Sequence, residues 1–305
     1  MKKVLQYEDM AKSNKPKSPP ADLDKKLQGI ANKQKVTIIS FVAPHGVRTS
    51  PVTFASASIE DSEIYSLEKI IEEASTKNAT SSLHLVIHTP GGEMHASYKI
   101  ANFLRAKFNN IVAWIPYEAA SGGTILCCAA NQIHISDFGN ITSFDPQIRY
   151  KNVRVAANAF IRAVDTIKEE YGEMTPQEIP SPWQQMAEKL DPVIYDEMST
   201  AVVTSIIYGY RLLKKSGYNP EKAMSIASSL GRNAYIHEFP IFSKEATDLG
   251  FDVGIYDKET MKTYQELVAF RIGNEYPKHI IDSYYPEVVK KNENKNIRKK
   301  YASKK

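Results

Sequence analysis

The sequence predicts an α/β fold: a parallel sheet with crossover helices, followed by a helical C-terminal half. Three observations predict it. Short apolar runs over 36–42, 83–87, 111–115 and 132–136 alternate with segments of helical spacing, the pattern of a parallel sheet. Two glycine-bearing turns, Thr89-Pro90-Gly91-Gly92 and Ala120-Ser121-Gly122-Gly123, each follow one of these runs and open a helix. Beyond Gln147 the runs give way to long helical patterns.

In chain order, residues 36–42 form a β-branched run and the first strand. A polar loop begins at His45-Gly46. Ile64, Leu67, Ile71 and Ala74 are spaced for one helix face within 61–74. Residues 83–87 are the second strand. Met94, Tyr98, Ala101, Leu104 and Phe108 mark the next helix, and 111–115 the third strand. Residues 121–130 are apolar nearly all round, which predicts a buried helix. Residues 132–136 are a short fourth strand.

The later helices are predicted over 155–170, 192–215, 220 onward, 243–249 and 259–272. Asp191-Pro192 and Asn219-Pro220 are N-cap and first-turn pairs, and Gly217 and Gly250 stop the helices before them. Short strands are expected at 234–239 and 253–255. No internal repeat occurs at a fixed period.

The chain has 305 residues, 42% of them hydrophobic, enough for a disulfide-free core. Its two cysteines, Cys127 and Cys128, are adjacent on an apolar helix and read as buried, reduced thiols. The N-terminus lacks the apolar stretch of a signal peptide, and no run reaches the ~18 apolar residues that span a bilayer. These features point to the cytoplasm.

The net charge of +4 is unevenly spread. Residues 1–35 carry +5 and residues 289–305 carry +7, leaving −8 on the body. Both ends are expected to be loose, solvated segments, able to touch an anionic membrane surface weakly. Only Tyr301 interleaves with the C-terminal lysines, which argues against a base-stacking nucleic-acid site. The expected organisation is a loose segment 1–35, a catalytic domain 36–275 and a basic tail 276–305.

Parallel strands joined by a crossover helix end side by side, so both glycine turns lie at one sheet edge, where open α/β proteins place ligands. One turn can offer backbone N–H groups from Gly91 or Gly92. The other presents Ser121 at a helix start, with the Gly122 N–H beside it. Together they read as an oxyanion hole beside a nucleophile. Taken singly, Ser121 reads first as a capping serine and Pro90-Gly91 as an ordinary β-turn; it is their pairing that favours the catalytic reading. His84 and His88 share a strand face about 13 Å apart, too far for one metal ion, and His95 does not complete a ligand set.

These segments resemble the serine dehydrogenase proteinase family of the Clp protease/crotonase superfamily, related to signal peptide peptidase A. The resemblance rests on His88-Thr89-Pro90-Gly91-Gly92, Ala119-Ala120-Ser121-Gly122-Gly123-Thr124, Asp145-Pro146-Gln147-Ile148 and His237-Glu238-Phe239-Pro240-Ile241. A Glu245-Ala246-Thr247-Asp248-Leu249-Gly250 run closes it, and it spans about 36–256. It implies a Clp/crotonase-like sheet of repeated ββα and βα units, a serine peptidase acting on peptide or protein, no cofactor or metal, and assembly into homo-oligomers.

The chain departs from the family's relatives at the base. The Clp-type histidine slot holds Ser143-Phe144-Asp145-Pro146-Gln147, without a histidine. Lys168 falls by count where signal peptide peptidases keep a lysine base, but lacks the surrounding pattern. His237 lies where Clp-type enzymes keep the triad acid, and Asp145 is placed to orient it. The resemblance thus implies Ser121 with His237 and Asp145, and Lys168 as the fallback base. Two other readings share the fold: a crotonase-type acyl-CoA enzyme, which does not need Ser121, and an inactive assembly subunit.

Overall fold

The structure, a computed structural model, describes residues 16–43, 58–76, 80–150, 153–175, 177–232, 236–272 and 279–287. His45-Gly46 and residues 233–235 lie outside them.

The core is a five-stranded sheet. Its strands are β1 (Thr37–Val42), β2 (Ser82–His88), β3 (Asn110–Ile115), β5 (Gln132–Ile135) and β9 (Ser283–Tyr284), in the order β5-β3-β2-β1-β9. The first four are parallel and β9 is an antiparallel edge. Three connections carry helices: α2 (Ser62–Thr76), α3 (Met94–Lys107) and α4 (Gly122–Cys127). Each step moves one way along the sheet, so right-handed crossovers put all three helices on one face.

Strand periodicity decides which residues meet them. Ile39, Phe41, Leu83, Leu85, Ile87, Ile111, Ala113 and Ile115 pack into the core under these helices. Their neighbours Ile38, Val42, Val86 and Trp114 face the opposite side. There α1 (Ala21–Gln34) and α10 (Lys258–Ile272) cover the sheet, burying Leu23, Leu27, Ala31, Met261, Tyr264, Leu267 and Val268. The expectation of a loose segment up to residue 35 therefore fails from Ala21 onward. Leu23, Leu27 and Ala31 lie one turn apart on a single stripe, and Lys26 pairs with Glu266 at 2.7 Å. Within the tail expected from 276, the described residues 279–287 lie against the sheet, where β9 pairs with β1.

A second, shorter ladder stands at the C-terminal ends of the strands. Ile59 bridges Gly92, and Thr89 bridges Ala119. The strand β4 (Glu118–Ala119) pairs with β6 (Asn140–Ile141), and Ile141 bridges Ile241. A hairpin of β7 (Gln147–Tyr150) and β8 (Val153–Ala156) follows, then α5 (Ala157–Tyr171) and α6 (Ser181–Ala187). The long α7 (Pro192–Lys215), α8 (Pro220–Gly231) and α9 (Ser243–Leu249) complete the helical half. Asp191 accepts from the Val193 N–H at 2.9 Å and Asn219 from Lys222 at 2.8 Å, the expected caps. The strand expected at 234–239 is absent from 236–239, and that at 253–255 shrinks to a single bridge from Val253 to Ile133.

His84 is buried beneath α10, with Nδ1 2.8 Å from the Tyr264 hydroxyl. Burial, with repulsion from His134, pushes its imidazole down to about 4 from an ordinary 6.5. The unfolded chain therefore binds a proton that the folded chain refuses between those values. Stability is expected to fall by roughly 3 kcal/mol as pH drops from 6.5 to 4, and His84→Gln to flatten that slope. Denaturant titrations of both proteins across this range check it.

Candidate active site

Each predicted turn is held by the second ladder. The Thr89 N–H donates to Glu118 O at 3.0 Å, and the Ala120 N–H donates back to Thr89 O at 2.9 Å. The two glycine turns therefore lie side by side, as their strand order requires. Gly91 has φ +98°, and a Cβ there would lie 2.7 Å from Ser121 Cβ and 2.8 Å from Gly122 N. Only glycine allows both the dihedral and the approach. A Cβ on Gly122 would lie 3.2 Å from Gly92 N and would collide with Ser97 Oγ.

The amides of these turns divide into two groups. The Gly91 N–H donates to Thr89 Oγ1 at 3.1 Å, and the Gly123 N–H to Ala120 O at 2.7 Å. Those of Gly92 and Gly122 have no hydrogen-bond partner among the described residues. The Gly91 carbonyl accepts from the Ile59 N–H at 2.9 Å. In the trans peptide that follows, this turns the Gly92 N–H the opposite way.

Ser121 has φ 49° and ψ −111°, at the first central position of a turn closed by Gly123 N–H to Ala120 O. These are the dihedrals of a type II′ turn, where glycine is the usual residue. Holding a serine there stores on the order of 1–3 kcal/mol of strain. The Ser121 N–H donates to Thr142 Oγ1 at 2.9 Å. Its hydroxyl has no hydrogen-bond partner among the described residues.

His237 and Asp145, 92 residues apart, are in contact. His237 Nδ1 lies 2.8 Å from Asp145 Oδ1, and their side chains are 17% and 3% exposed. The bridge between Ile141 and Ile241 brings the two segments together four residues away along each of them. Ser143 Oγ donates to Asp145 Oδ1 at 2.6 Å, and Gln147 Nε2 to Oδ2 at 3.2 Å. Burial alone would raise the Asp145 carboxyl. The hydrogen bonds from His237 and Ser143 outweigh it and hold the group below its ordinary value. Phe144, wedged against Gly209 and Gly231 of the α7–α8 pair, fixes this loop between Ser143 and Asp145. Thr142, which holds the Ser121 amide, is therefore adjacent in sequence to Ser143, which holds Asp145.

Lys168 is elsewhere. The helix α5 starts beside Asp145, where Ala157 N–H donates to Pro146 O at 2.9 Å. Lys168 is exposed in its last turn, roughly 16 Å along the axis. Cys127, at the end of α4, and Cys128, its C-cap, are buried; burial pushes the Cys127 thiol up to about 12 and raises that of Cys128 well above its ordinary value. No group of three or more His, Cys, Asp or Glu among the described residues is placed to hold a metal ion. No helix among them is long and apolar enough to cross a membrane.

Sequence reasoning quoted Thr89, Ser143 and Gln147 only as parts of motifs, without a role, and did not single out Thr142, His279 or Glu63. Ser143 and Gln147 had a signal, lying in the segment that replaces the Clp-type histidine slot.

Residues 21–299 match the ClpP-like SDH-type serine proteinases. The chain belongs to this family. Its members are serine-type peptidases of ClpP-like fold, matching the parallel sheet and helical C-terminal half described above. Among curated proteins, the chain is similar to the uncharacterised protein MJ0137 of Methanocaldococcus jannaschii. They share 28% identity over 247 residues, 79% of this chain and 76% of the relative. A second uncharacterised protein of that organism, MJ1495, is 26% identical over 196 residues, 64% of this chain and 58% of its own length.

Two solved structures overlap in part. One is a serine-to-alanine variant of the 1510-N membrane-bound stomatin-specific protease, with TM-score 0.43, 16% identity, and 68% and 79% of the two chains covered. The other is a lysine-to-alanine variant of that protease with a substrate peptide, with TM-score 0.42, 17% identity, and 66% and 73% covered.

Proposed function

We propose that this member of the family hydrolyses peptide bonds through an acyl-enzyme on Ser121, with His237 as base and Asp145 orienting it. The observation that carries this reading is the His237–Asp145 pair, 2.8 Å apart, with Asp145 three residues after Thr142, whose hydroxyl holds the Ser121 amide. Asp145, held ionised, accepts from Nδ1–H and leaves Nε2 bare to take the serine proton. Ser121 Oγ attacks the carbonyl, and its oxygen becomes an oxyanion between the Gly92 and Gly122 N–H groups. The Gly91 amide, given to Thr89, serves as support. The imidazolium returns its proton to the leaving amine, and water then repeats the sequence to release the acid.

The acyl-CoA alternative requires no nucleophile at 121. The assembly-subunit alternative requires no turnover. Covalent labelling by a fluorophosphonate that is lost in Ser121→Ala supports the peptidase over both. Absence of labelling in the folded wild-type chain overturns it.

Self-association belongs to the same reading. The helix α7 carries apolar residues on more than one side. Within the subunit it buries Val202 and Ile206, and Tyr208 stacks on Tyr98 at 4.0 Å. Val203 and Ile207 remain 47% and 37% exposed. A second copy covering that face is expected to give a scattering mass well above the 34.3 kDa monomer at micromolar concentration. A stable monomer would count against it.

A further inference from the structure

A second histidine–carboxylate pair lies behind the Pro90-Gly91-Gly92 turn. His279, on the segment before β9, has Nδ1 3.2 Å from Glu63 Oε1 and Nε2 2.9 Å from Thr89 Oγ1. It stacks on Phe41 with ring centroids 4.2 Å apart. The three side chains are buried. They come from α2, the end of β2 and the C-terminal segment, so only the completed sheet brings them together. We propose that Glu63, His279 and Thr89 form a positioning relay that fixes the Gly91 amide, and through it the oxyanion turn beside Ser121. The relay rests on the serine-peptidase reading above.

The direction of the hydrogen bonds follows from the donors available. The Gly91 N–H can only donate, so Thr89 Oγ1 accepts it at 3.1 Å. The hydroxyl proton of Thr89 then goes to His279 Nε2, and Nδ1–H goes to the carboxylate of Glu63. Burial would raise that carboxyl, but its bond to His279 and the one from the Glu60 N–H hold it below its ordinary value, ready to accept. A single tautomer of neutral His279, with the proton on Nδ1, satisfies every donor in the row. A doubly protonated ring would instead send a second donor to Thr89 Oγ1 and displace its proton.

The mechanical consequence is local. Thr89 has its backbone fixed by two ladder bonds to β4 and its neighbour, so its oxygen is a stationary acceptor. The turn is thereby held at both faces of Gly91, by Thr89 at the N–H and by Ile59 at the carbonyl. Gly91 is also the residue that abuts Ser121. Loosening its amide changes how far the Gly92 N–H stands from the Gly122 N–H. These are positioning residues: all three are buried behind the turn and act on it through the Gly91 amide.

Fluorophosphonate labelling rates of wild type, Thr89→Val and Thr89→Ser test the relay, with melting curves to confirm folding. Valine keeps the shape and removes the acceptor. A fall of about ten- to a hundredfold is expected, below the full loss of an oxyanion donor. Serine restores the hydroxyl and is expected to return the rate to within a few-fold of wild type, which a packing role would not. Imidazole 15N spectra of the wild-type protein give the second readout: His279 is expected with Nδ1 protonated and Nε2 bare. A folded Thr89→Val that reacts as fast as wild type, a slow one that serine does not rescue, or a proton on Nε2 overturns the relay alone. If wild type itself fails to react, the serine reading falls and the relay falls with it.

Discussion

Ser121→Ala is expected to abolish both hydrolysis of peptide substrates and fluorophosphonate labelling while the chain stays folded. The expected loss is on the order of a millionfold, because an activated nucleophile and its base act as one unit. A small residue above the uncatalysed rate is consistent with the Gly92 and Gly122 amides, which alanine leaves in place. Alanine inherits the φ of 49° and the strain that goes with it. Ser121→Gly is expected to be equally inactive but more stable than Ser121→Ala by about 1 kcal/mol, since glycine is at ease at that turn position. Steady-state assays, intact-mass detection of the adduct and thermal melts measure all three quantities. A folded Ser121→Ala that retains activity removes Ser121 from the chemistry.

Much of this arrangement was legible in the sequence because it rests on local patterns. The strands β1, β2 and β3 are buried apolar runs, and the caps Asp191 and Asn219 and the stop at Gly250 are side-chain or backbone preferences that act within a turn. The nearness of the two glycine turns follows from strand order alone. The signal for α1 was also present, in Leu23, Leu27 and Ala31, but the surrounding lysines masked it. Nothing local marks β9, only two residues long, whose pairing depends on β1 offering a free edge. The hairpin β7–β8 was hidden in a stretch whose later part reads as helix. The relay of Glu63, His279 and Thr89 joins residues up to 216 apart, and no spacing rule connects them. Lys168 shows the converse: a residue count placed it near the serine, while the rise of α5 carries it away from Asp145.

His237→Ala is expected to slow acylation by several orders of magnitude, and Lys168→Ala to leave it within a few-fold of wild type. The contrast follows from position. His237 is half-enclosed and hydrogen-bonded to a buried carboxylate, whereas Lys168 is exposed at the far end of α5. Asp145→Asn provides the sharper variant. An asparagine amide turned toward His237 donates to Nδ1, places the ring proton on Nε2, and so blocks the atom that must accept from Ser121. By analogy with other histidine–aspartate pairs the expected loss is about 10⁴-fold, with little change in fold. Gln147 Nε2, bonded to the other oxygen position, remains to bond the asparagine oxygen, while the Ser143 hydroxyl, which shares its position with His237, turns to accept from the amide. The pH profile separates the base from a merely structural pair. Wild-type acylation is expected to persist toward acid only while Asp145, held below the ordinary carboxylate range by its hydrogen bonds, stays ionised and orients the ring. Its protonation at lower pH removes the orienting charge and the stability contributed by the pair. Pre-steady-state acylation of the three variants across pH measures this directly. An inactive Lys168→Ala beside an active His237→Ala would assign the proton transfer to a Ser-Lys dyad and leave His237–Asp145 as a structural clasp between the 141–145 and 237–241 segments.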